Sequence, residues 1–125
     1  MKKNIFKSTW TYIIIVLIII IGIYAYKNIN KEPIGPGQYD EFAQYLTEQG
    51  VIMYGTEWCS HCKNNKALFG NSFQYINFVD CDYDRDACIE AGISGYPTWD
   101  VNGKNYPGEQ SLERLAQLTN YEGEL

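Results

Sequence analysis

The sequence predicts an α/β domain over residues 38–121, preceded by one N-terminal transmembrane helix. The domain would be a four-stranded mixed sheet with helices on both faces. Three observations lead to this prediction. Residues 8–26 carry no charged side chain. The rest of the chain alternates short apolar runs with amphipathic segments. Asn102 and Gly103, a favoured hairpin turn pair, separate the last two strand-like runs.

The N-terminal apolar run is predicted to cross a membrane. Its 19 uncharged residues would form a helix about 28 Å long, close to the thickness of the hydrocarbon core. We expect residues 1–9 to be a short cytoplasmic N-terminus and 10–26 an uncleaved signal anchor. A cleavable signal peptide would have a shorter apolar core and a small-x-small site, which 24–27 offers poorly. Aromatic residues, common at membrane interfaces, lie at both ends of the run: Trp10, Tyr12, Tyr24 and Tyr26.

Charge is divided unevenly along the chain. Residues 1–31 hold five lysines and no acid, whereas 32–125 hold five basic and fifteen acidic residues, a net charge of −10. Such an acidic domain is not expected to bind nucleic acid, because phosphate binding needs clustered lysine and arginine. The slight excess of lysines before the span favours a cytoplasmic N-terminus. The domain would then face the periplasm, the extracellular space or a lumen, where disulfides persist.

The soluble part is predicted to begin with a linker and a helix. Residues 27–37 contain Pro33, Gly35, Pro36 and Gly37, which break helices and give a short distance from the membrane. A helix over 40–50 would be capped by Asp40. Then follow a strand at 51–55, a helix at 62–69, a strand at 75–80, a helix at 84–91, strands at 98–101 and 104–106, a helix at 112–119 capped by Ser111, and a tail at 122–125.

Cys59 and Cys62 form a Cys-x-x-Cys motif between a predicted strand and a predicted helix. The unsatisfied N–H groups and the positive end of the helix dipole favour a thiolate at Cys59. Cys62, one turn later, would resolve a mixed disulfide. His61 would stabilise the thiolate further and so make the disulfide a stronger oxidant. The motif therefore favours a redox pair over a static disulfide or half of a metal site.

Tyr96-Pro97 is the second signal. Cis peptide bonds occur almost only before proline, and a proline at the start of a strand can adopt one. A trans proline in a turn is commoner. The position about 35 residues after the Cys-x-x-Cys unit favours the cis form.

Together these motifs resemble a thioredoxin fold. Within it they resemble most the thioredoxin-like domain fused to bacterial and plant homologues of vitamin K epoxide reductase. The resemblance runs from about residue 38 to 121. It is carried by separate segments: 54–63, which includes Trp58-Cys59-Ser60-His61-Cys62, then 68–70, 79–82, 92–99, 102–108 and 110–116.

The resemblance implies a thiol–disulfide oxidoreductase that relays electrons from substrate thiols to a membrane-embedded reductase and then to a quinone. Carried over, Cys59 and Cys62 are the catalytic pair, assisted by His61, and their redox-active disulfide takes the place of a cofactor. Pro97 would be the cis proline whose backbone pairs with the substrate chain. Three aromatic residues would rim or underlie the active disulfide, with core packing as the alternative, above all for Trp99: Trp58, Tyr96 and Trp99.

The chain departs from this family in two respects. The quinone-reducing domain needs several membrane helices and this chain has one, so we expect the partner to be a separate multi-span protein. The buried acid that assists proton transfer in ordinary thioredoxins falls near Met53, which does not titrate. Either another group helps, with Glu57 as the candidate, or the exchange works without one.

Cys81 and Cys88 leave alternatives open. The resemblance implies a structural disulfide, although the loop between them is shorter than expected for the family. Closing it would stabilise the fold by roughly 2–3 kcal/mol. Two buried free thiols, or a second redox pair that passes electrons to the first, are the alternatives. A zinc site from all four cysteines fits the spacing poorly, and the nearby aspartates lack the Gly and Glu of a calcium loop, so no metal is expected.

Two other functions remain open at this point. An extracytoplasmic reductase would have the same fold with electrons flowing in the opposite direction. A non-enzymatic binding module would keep the Cys59–Cys62 bond as a structural disulfide.

Overall fold

The computed structural model describes residues 3–29 and 34–125, and the chain divides into two units, Met1–Pro33 and Ile34–Leu125. The first unit contains helix α1 (Lys3–Ile29), which includes the predicted span 10–26 and extends beyond it at both ends. Its segment Thr9–Asn28 is long and apolar enough to cross a membrane, a test that an N-terminal signal sequence also passes. Parts of the predicted cytoplasmic N-terminus (residues 1–2) and of the predicted linker (30–33, with Pro33) lie outside the described residues.

The second unit is organised by a four-stranded mixed sheet, which confirms the predicted fold class. The strand order is β2-β1-β3-β4, with β1 parallel to β2 and antiparallel to β3, and β3 antiparallel to β4. The hairpin between β3 and β4 turns at Asn102 and Gly103, whose φ angles of 54° and 77° suit these two residue types. The strands are β1 (Ile52–Gly55), β2 (Asn77–Asp80), β3 (Thr98–Val101) and β4 (Lys104–Pro107).

Helices cover both faces of this sheet. Helix α5 has the predicted bounds and Ser111 as its cap, because the Ser111 side chain accepts the Arg114 N–H at 3.1 Å. The predicted strand 75–80 starts two residues late, since the preceding residues form a 3₁₀ helix. The helices are α2 (Asp40–Glu48), α3 (Ser60–Phe69), the 3₁₀ helix (Gly70–Tyr75), α4 (Arg85–Glu90) and α5 (Leu112–Thr119).

The prediction that Asp40 caps α2 is wrong. Tyr39 occupies the N-cap position without a side-chain cap, and Asp40 is the first helical residue. Both carboxylate oxygens of Asp40 accept the backbone N–H of Gly37 at 3.0 Å. The carboxylate therefore holds the incoming chain, while it still lies in the first turn, where negative charge is favourable.

Side chains of β1 point alternately into two apolar clusters. Met53 is fully buried in the larger cluster, with the aromatic rings of α2, α3 and β3 around it. Tyr54 belongs to the smaller cluster, with Cys81 and Cys88. This alternation is the period of two expected for a central strand buried on both faces. It leaves the carboxyl end of β1, at Gly55, as the point from which the cysteine motif emerges.

Candidate active site

Cys59 and Cys62 lie at the carboxyl end of β1, where α3 begins. Cys59 is the N-cap residue of α3, with extended backbone angles (φ −68°, ψ 118°). Its Sγ accepts the backbone N–H of Cys62 at 3.2 Å. The sulfur thus takes the place that a serine or aspartate oxygen takes in an ordinary helix cap. Negative charge on this sulfur is favoured by the helix N-terminus.

The two sulfurs have different environments. Both cysteines are free thiols, and Cys62 is the more deeply buried, with no exposed surface against 7% for Cys59. Burial, followed by the side-chain hydrogen bond with Cys59, raises the pKa of Cys62 to about 12. The backbone N–H of Thr56 and the charge of Lys66 oppose this rise. Cys62 is therefore held as a protonated thiol beside the sulfur that caps the helix.

Pro97 lies beside the cysteines at the same end of the sheet. The Tyr96–Pro97 peptide bond is cis, and Pro97 is fully buried. Since Tyr54 pairs with Thr98 in the sheet, Pro97 falls opposite Gly55. A Cβ atom on Gly55 would in turn lie 2.7 Å from Cys62 Sγ, so the sheet brings Pro97 and Cys62 into one neighbourhood.

Trp58 and Tyr96, which directly precede Cys59 and Pro97 in the chain, lie against each other. Their ring centroids are 6.3 Å apart in an edge-to-face arrangement. Trp58 is two-thirds exposed, and its Nε1 donates to Asp82 Oδ2 at 2.7 Å. With Asp82 and Arg85 the two rings line a cavity of about 240 Å³. By contrast, Trp99 is fully buried in the core.

Cys81 and Cys88 are joined by a disulfide with an S–S distance of 2.00 Å and a Cα–Cα distance of 5.8 Å. Both residues are buried. The backbone N–H of Cys81 donates to Gly55 O at 2.8 Å. This hydrogen bond joins the disulfide-bonded segment after β2 to the end of β1, just before the cysteine motif.

His61 lies in the first turn of α3 and is paired with a carboxylate. Its Nδ1 is 2.6 Å from Glu109 Oε1, and Asn64 Nδ2 donates to the same oxygen at 3.3 Å. The hydrogen bond from His61, and then the one from Asn64, lowers the pKa of Glu109. The prediction that His61 stabilises a Cys59 thiolate did not include this negative charge. Glu109 was missed because 48 residues separate it from His61, and only the fold brings them together.

Asn65 fixes the loop that carries Glu109. Its buried side chain accepts from Trp99 Nε1 at 2.8 Å and from the Gln110 N–H at 3.1 Å, and it donates to Gln110 O at 2.8 Å. The residue after Glu109 is thereby held against the second turn of α3. No sequence signal marked Asn65, since a polar residue in a helix is usually exposed.

Glu57, the candidate for proton transfer, is paired with Lys66 at 2.7 Å. The Lys66 ammonium lies 3.7 Å from the centroid of the Phe78 ring. Its positive charge offsets a small part of the rise in the pKa of Cys62 that burial causes. Lys66 was also missed, but a signal existed, because residues four apart share a helix face and Lys66 is four residues after Cys62.

The chain is similar in sequence to known proteins. A family model described as Thioredoxin matches residues 34–120. Thiol-disulfide oxidoreductase LTO1 of Arabidopsis thaliana is 39% identical over 88 residues, covering 63% of this chain and 23% of that protein. Protein disulfide isomerase-like 2-2 of Oryza sativa subsp. japonica is 37% identical over 87 residues, covering 58% of this chain and 24% of that protein.

The chain thus spans about a quarter of the length of these curated relatives. Among solved structures, the oxidised thioredoxin of Plasmodium falciparum aligns with a TM-score of 0.41 and 21% identity, covering 64% of this chain and 88% of that one.

Proposed function

The chain belongs to the thioredoxin family, and on that premise we propose that it is a protein thiol–disulfide oxidoreductase with Cys59 and Cys62 as its redox pair. The difference between the two sulfurs carries the proposal. Cys59 caps a helix and accepts an N–H, whereas Cys62 is buried with its pKa raised to about 12. One sulfur suited to exist as a thiolate, beside one held as a thiol, is what stepwise thiol–disulfide exchange requires.

The reaction proceeds in two steps from the oxidised pair. A substrate thiolate attacks Cys59 Sγ, the Cys59–Cys62 bond breaks, and Cys62 leaves as a thiolate and takes up a proton. A second substrate thiolate then attacks the substrate sulfur of the mixed disulfide, which releases Cys59 as a thiolate. Two electrons pass from the substrate to the cysteine pair. The helix N-terminus favours the second step, because a stabilised thiolate is the better leaving group.

The substrate chain is proposed to lie along Pro97. In the family that the chain resembles, the backbone beside this proline pairs with the substrate chain, and we carry that role over to the segment at Pro97. Trp58 and Tyr96 would flank the bound peptide. The exposed Trp58 ring and the cavity next to it are consistent with contacts to side chains near the substrate cysteine.

We further propose that the protein promotes disulfide formation, and that a separate multi-span, quinone-linked protein reoxidises it. The apolar N-terminal helix would anchor the domain beside such a partner, on the extracytoplasmic side of the membrane. The resemblance to domains fused to vitamin K epoxide reductase homologues supports this direction of electron flow. Its reoxidation would be the reverse of the substrate step, with the Cys59 thiolate attacking a partner disulfide.

A disulfide reductase is the second candidate, and the Glu109 carboxylate beside His61 favours it. Negative charge near the active-site sulfurs disfavours the thiolate of the reduced pair and so weakens the disulfide as an oxidant. The reduction potential separates the two functions. A value near or below the roughly −270 mV of thioredoxin would favour the reductase, and a clearly higher value the oxidase.

Trapping of mixed disulfides tests the enzymatic proposal itself. Cys62→Ala removes the thiol that would resolve a mixed disulfide on Cys59, so the full-length variant in membranes should accumulate adducts that thiol reductants release. Cys59→Ala is the matched control and should accumulate none through the buried Cys62. Equal, negligible adducts from both variants would instead point to a non-enzymatic module.

A further inference from the structure

We propose that Glu109 is a positioning residue of the redox pair, and that by pairing with His61 it lowers the oxidising power of the Cys59–Cys62 disulfide. The inference rests on the proposed function, since it concerns the equilibrium of the same pair. It assigns a role to a residue 50 positions from Cys59 in the sequence.

The fold fixes Glu109 from both sides. The chain turns at Gly108, where φ is 86°, and the Gly108 N–H donates to Pro97 O at 2.8 Å. On the other side, Gln110 is bound through its backbone N–H and its C=O by the buried side chain of Asn65. Glu109 is therefore held between the cis-proline segment and helix α3. Its place beside the redox motif follows from the backbone.

From this position the Glu109 carboxylate contacts two side chains at the start of α3. One carboxylate oxygen lies 2.6 Å from His61 Nδ1 and accepts from Asn64 Nδ2 at 3.3 Å. The His61 side chain is 70% exposed and that of Glu109 37% exposed. The same contacts lower the pKa of Glu109, so the carboxylate stays ionised. It anchors the imidazole through Nδ1 and places a negative charge beside it.

The sign of the effect follows from the charge of the His61–Glu109 pair. With a protonated imidazole the pair is neutral, and with a neutral imidazole its charge is −1. Replacing the carboxylate by an amide raises these charges to +1 and 0. In either case the surroundings of Cys59 become more positive, which stabilises the thiolate of the reduced form. The disulfide of the variant must then be the stronger oxidant.

The test is an equilibrium with glutathione at pH 7, on the full-length protein in detergent. Oxidised protein and two glutathione molecules give reduced protein and one glutathione disulfide. We expect Glu109→Gln to raise this equilibrium constant by about two- to fivefold, the effect of exposed charges in contact. In a His61→Gln background the Glu109→Gln change should again raise the constant, because it removes one negative charge whatever the charge of His61.

Glu90→Gln is the matched control, since it removes the same charge from an exposed position at the end of α4. It should leave the equilibrium constant unchanged. The proposal is overturned if Glu109→Gln does not raise the constant, or if Glu90→Gln raises it equally. A Glu109 that only fastens the loop would change the unfolding midpoint and leave the equilibrium constant as it is.

Failure of the proposed function gives a different result. If Cys59 and Cys62 are not a redox pair, neither the wild type nor any variant will reach a measurable equilibrium with glutathione. Equal, measurable constants for wild type and Glu109→Gln would overturn the role of Glu109 alone.

Discussion

Replacing Asn65 by alanine would remove three hydrogen bonds from the interior of the domain. Trp99 Nε1, which is fully buried, would lose its acceptor, and Gln110 would lose partners for both its backbone N–H and its C=O. Leaving one buried donor unsatisfied costs about 1–3 kcal/mol, and each further hydrogen bond contributes about 0.5–1.5 kcal/mol. Asn65→Ala should therefore lower the free energy of unfolding by about 2–6 kcal/mol.

Urea unfolding of residues 34–125, which form a compact unit of their own, measures this loss. With a typical urea dependence for a small domain, the midpoint should fall by about 1–3 M. Asn64→Ala is the matched control. It shortens the neighbouring side chain, which is exposed and makes one long bond of 3.3 Å, and should cost less than about 0.5 kcal/mol.

A double-mutant cycle isolates the hydrogen bond from Trp99 Nε1 to Asn65. In a Trp99→Phe background the buried donor is absent, so Asn65→Ala should cost less than it does in the wild type. Equal losses in both backgrounds, or a loss below that of Asn64→Ala, would refute the idea that Asn65 clamps the loop. Because the clamp also holds the segment after Glu109, Asn65→Ala should shift the glutathione equilibrium in the same direction as Glu109→Gln.

Three further predictions concern the cysteines. The folded-state pKa of Cys62 is raised from 9.0 to about 12, so between these values the thiol is protonated in the folded reduced protein and ionised in the unfolded chain. The stabilising contribution of the protonated thiol is complete below pH 9 and is lost as the pH rises towards 12. Unfolding free energy of the reduced protein should therefore fall from pH 9 towards 12 more steeply than that of Cys62→Ala. Replacing both Cys81 and Cys88 by alanine should lower the free energy of unfolding by about 2–3 kcal/mol, measured by thermal or urea unfolding. The same replacement in the Cys62→Ala variant should leave the trapped mixed disulfides unchanged, and their loss would indicate a redox role for this second pair. Gly55→Ala puts a Cβ 2.7 Å from the Cys62 sulfur, so it should destabilise the fold by about 1–3 kcal/mol and slow release of mixed disulfides, whereas Gly95→Ala, with open space around its Cα, should do neither.

Local patterns were sufficient for most of the fold. The spacing of Leu112, Leu115 and Ala116 after a serine predicted α5 with its bounds. The Asn-Gly pair predicted the β3–β4 turn, because few other residues adopt positive φ at both positions. Both signals come from interactions within a few residues of each other. They do not depend on what the rest of the chain does.

Predictions failed where a local group found a different partner. Asp40 had the chemistry of a helix cap, yet its carboxylate binds the N–H of Gly37 instead. The alternation of residues 75–80 predicts a strand that begins at Tyr75, but the Ile76 N–H donates to Phe73 O and closes a 3₁₀ turn. In each case two local arrangements were possible, and packing of the whole domain decided between them.

The active site divides in the same way between local and distant contributions. The Cys-x-x-Cys spacing and the position after a strand indicate a redox pair, since the helix N-terminus acts on Cys59 locally. The strength of that pair as an oxidant is a sum over charges from any part of the chain. Glu109 enters this sum only because β4 ends at Pro107 and Gly108 turns the chain towards α3.

The Cys-Ser-His-Cys sequence alone therefore does not determine the direction of electron flow. A protonated imidazole at this position favours an oxidant, and the Glu109 carboxylate, 2.6 Å from His61 Nδ1, adds the opposite charge. Two domains with the same four residues should differ in equilibrium constant by about two- to fivefold if only one has an acid in the loop after its last strand. The same dependence should hold for any thioredoxin-fold protein with a histidine between its cysteines. Its oxidising power depends on whether a carboxylate from the end of the sheet reaches the imidazole.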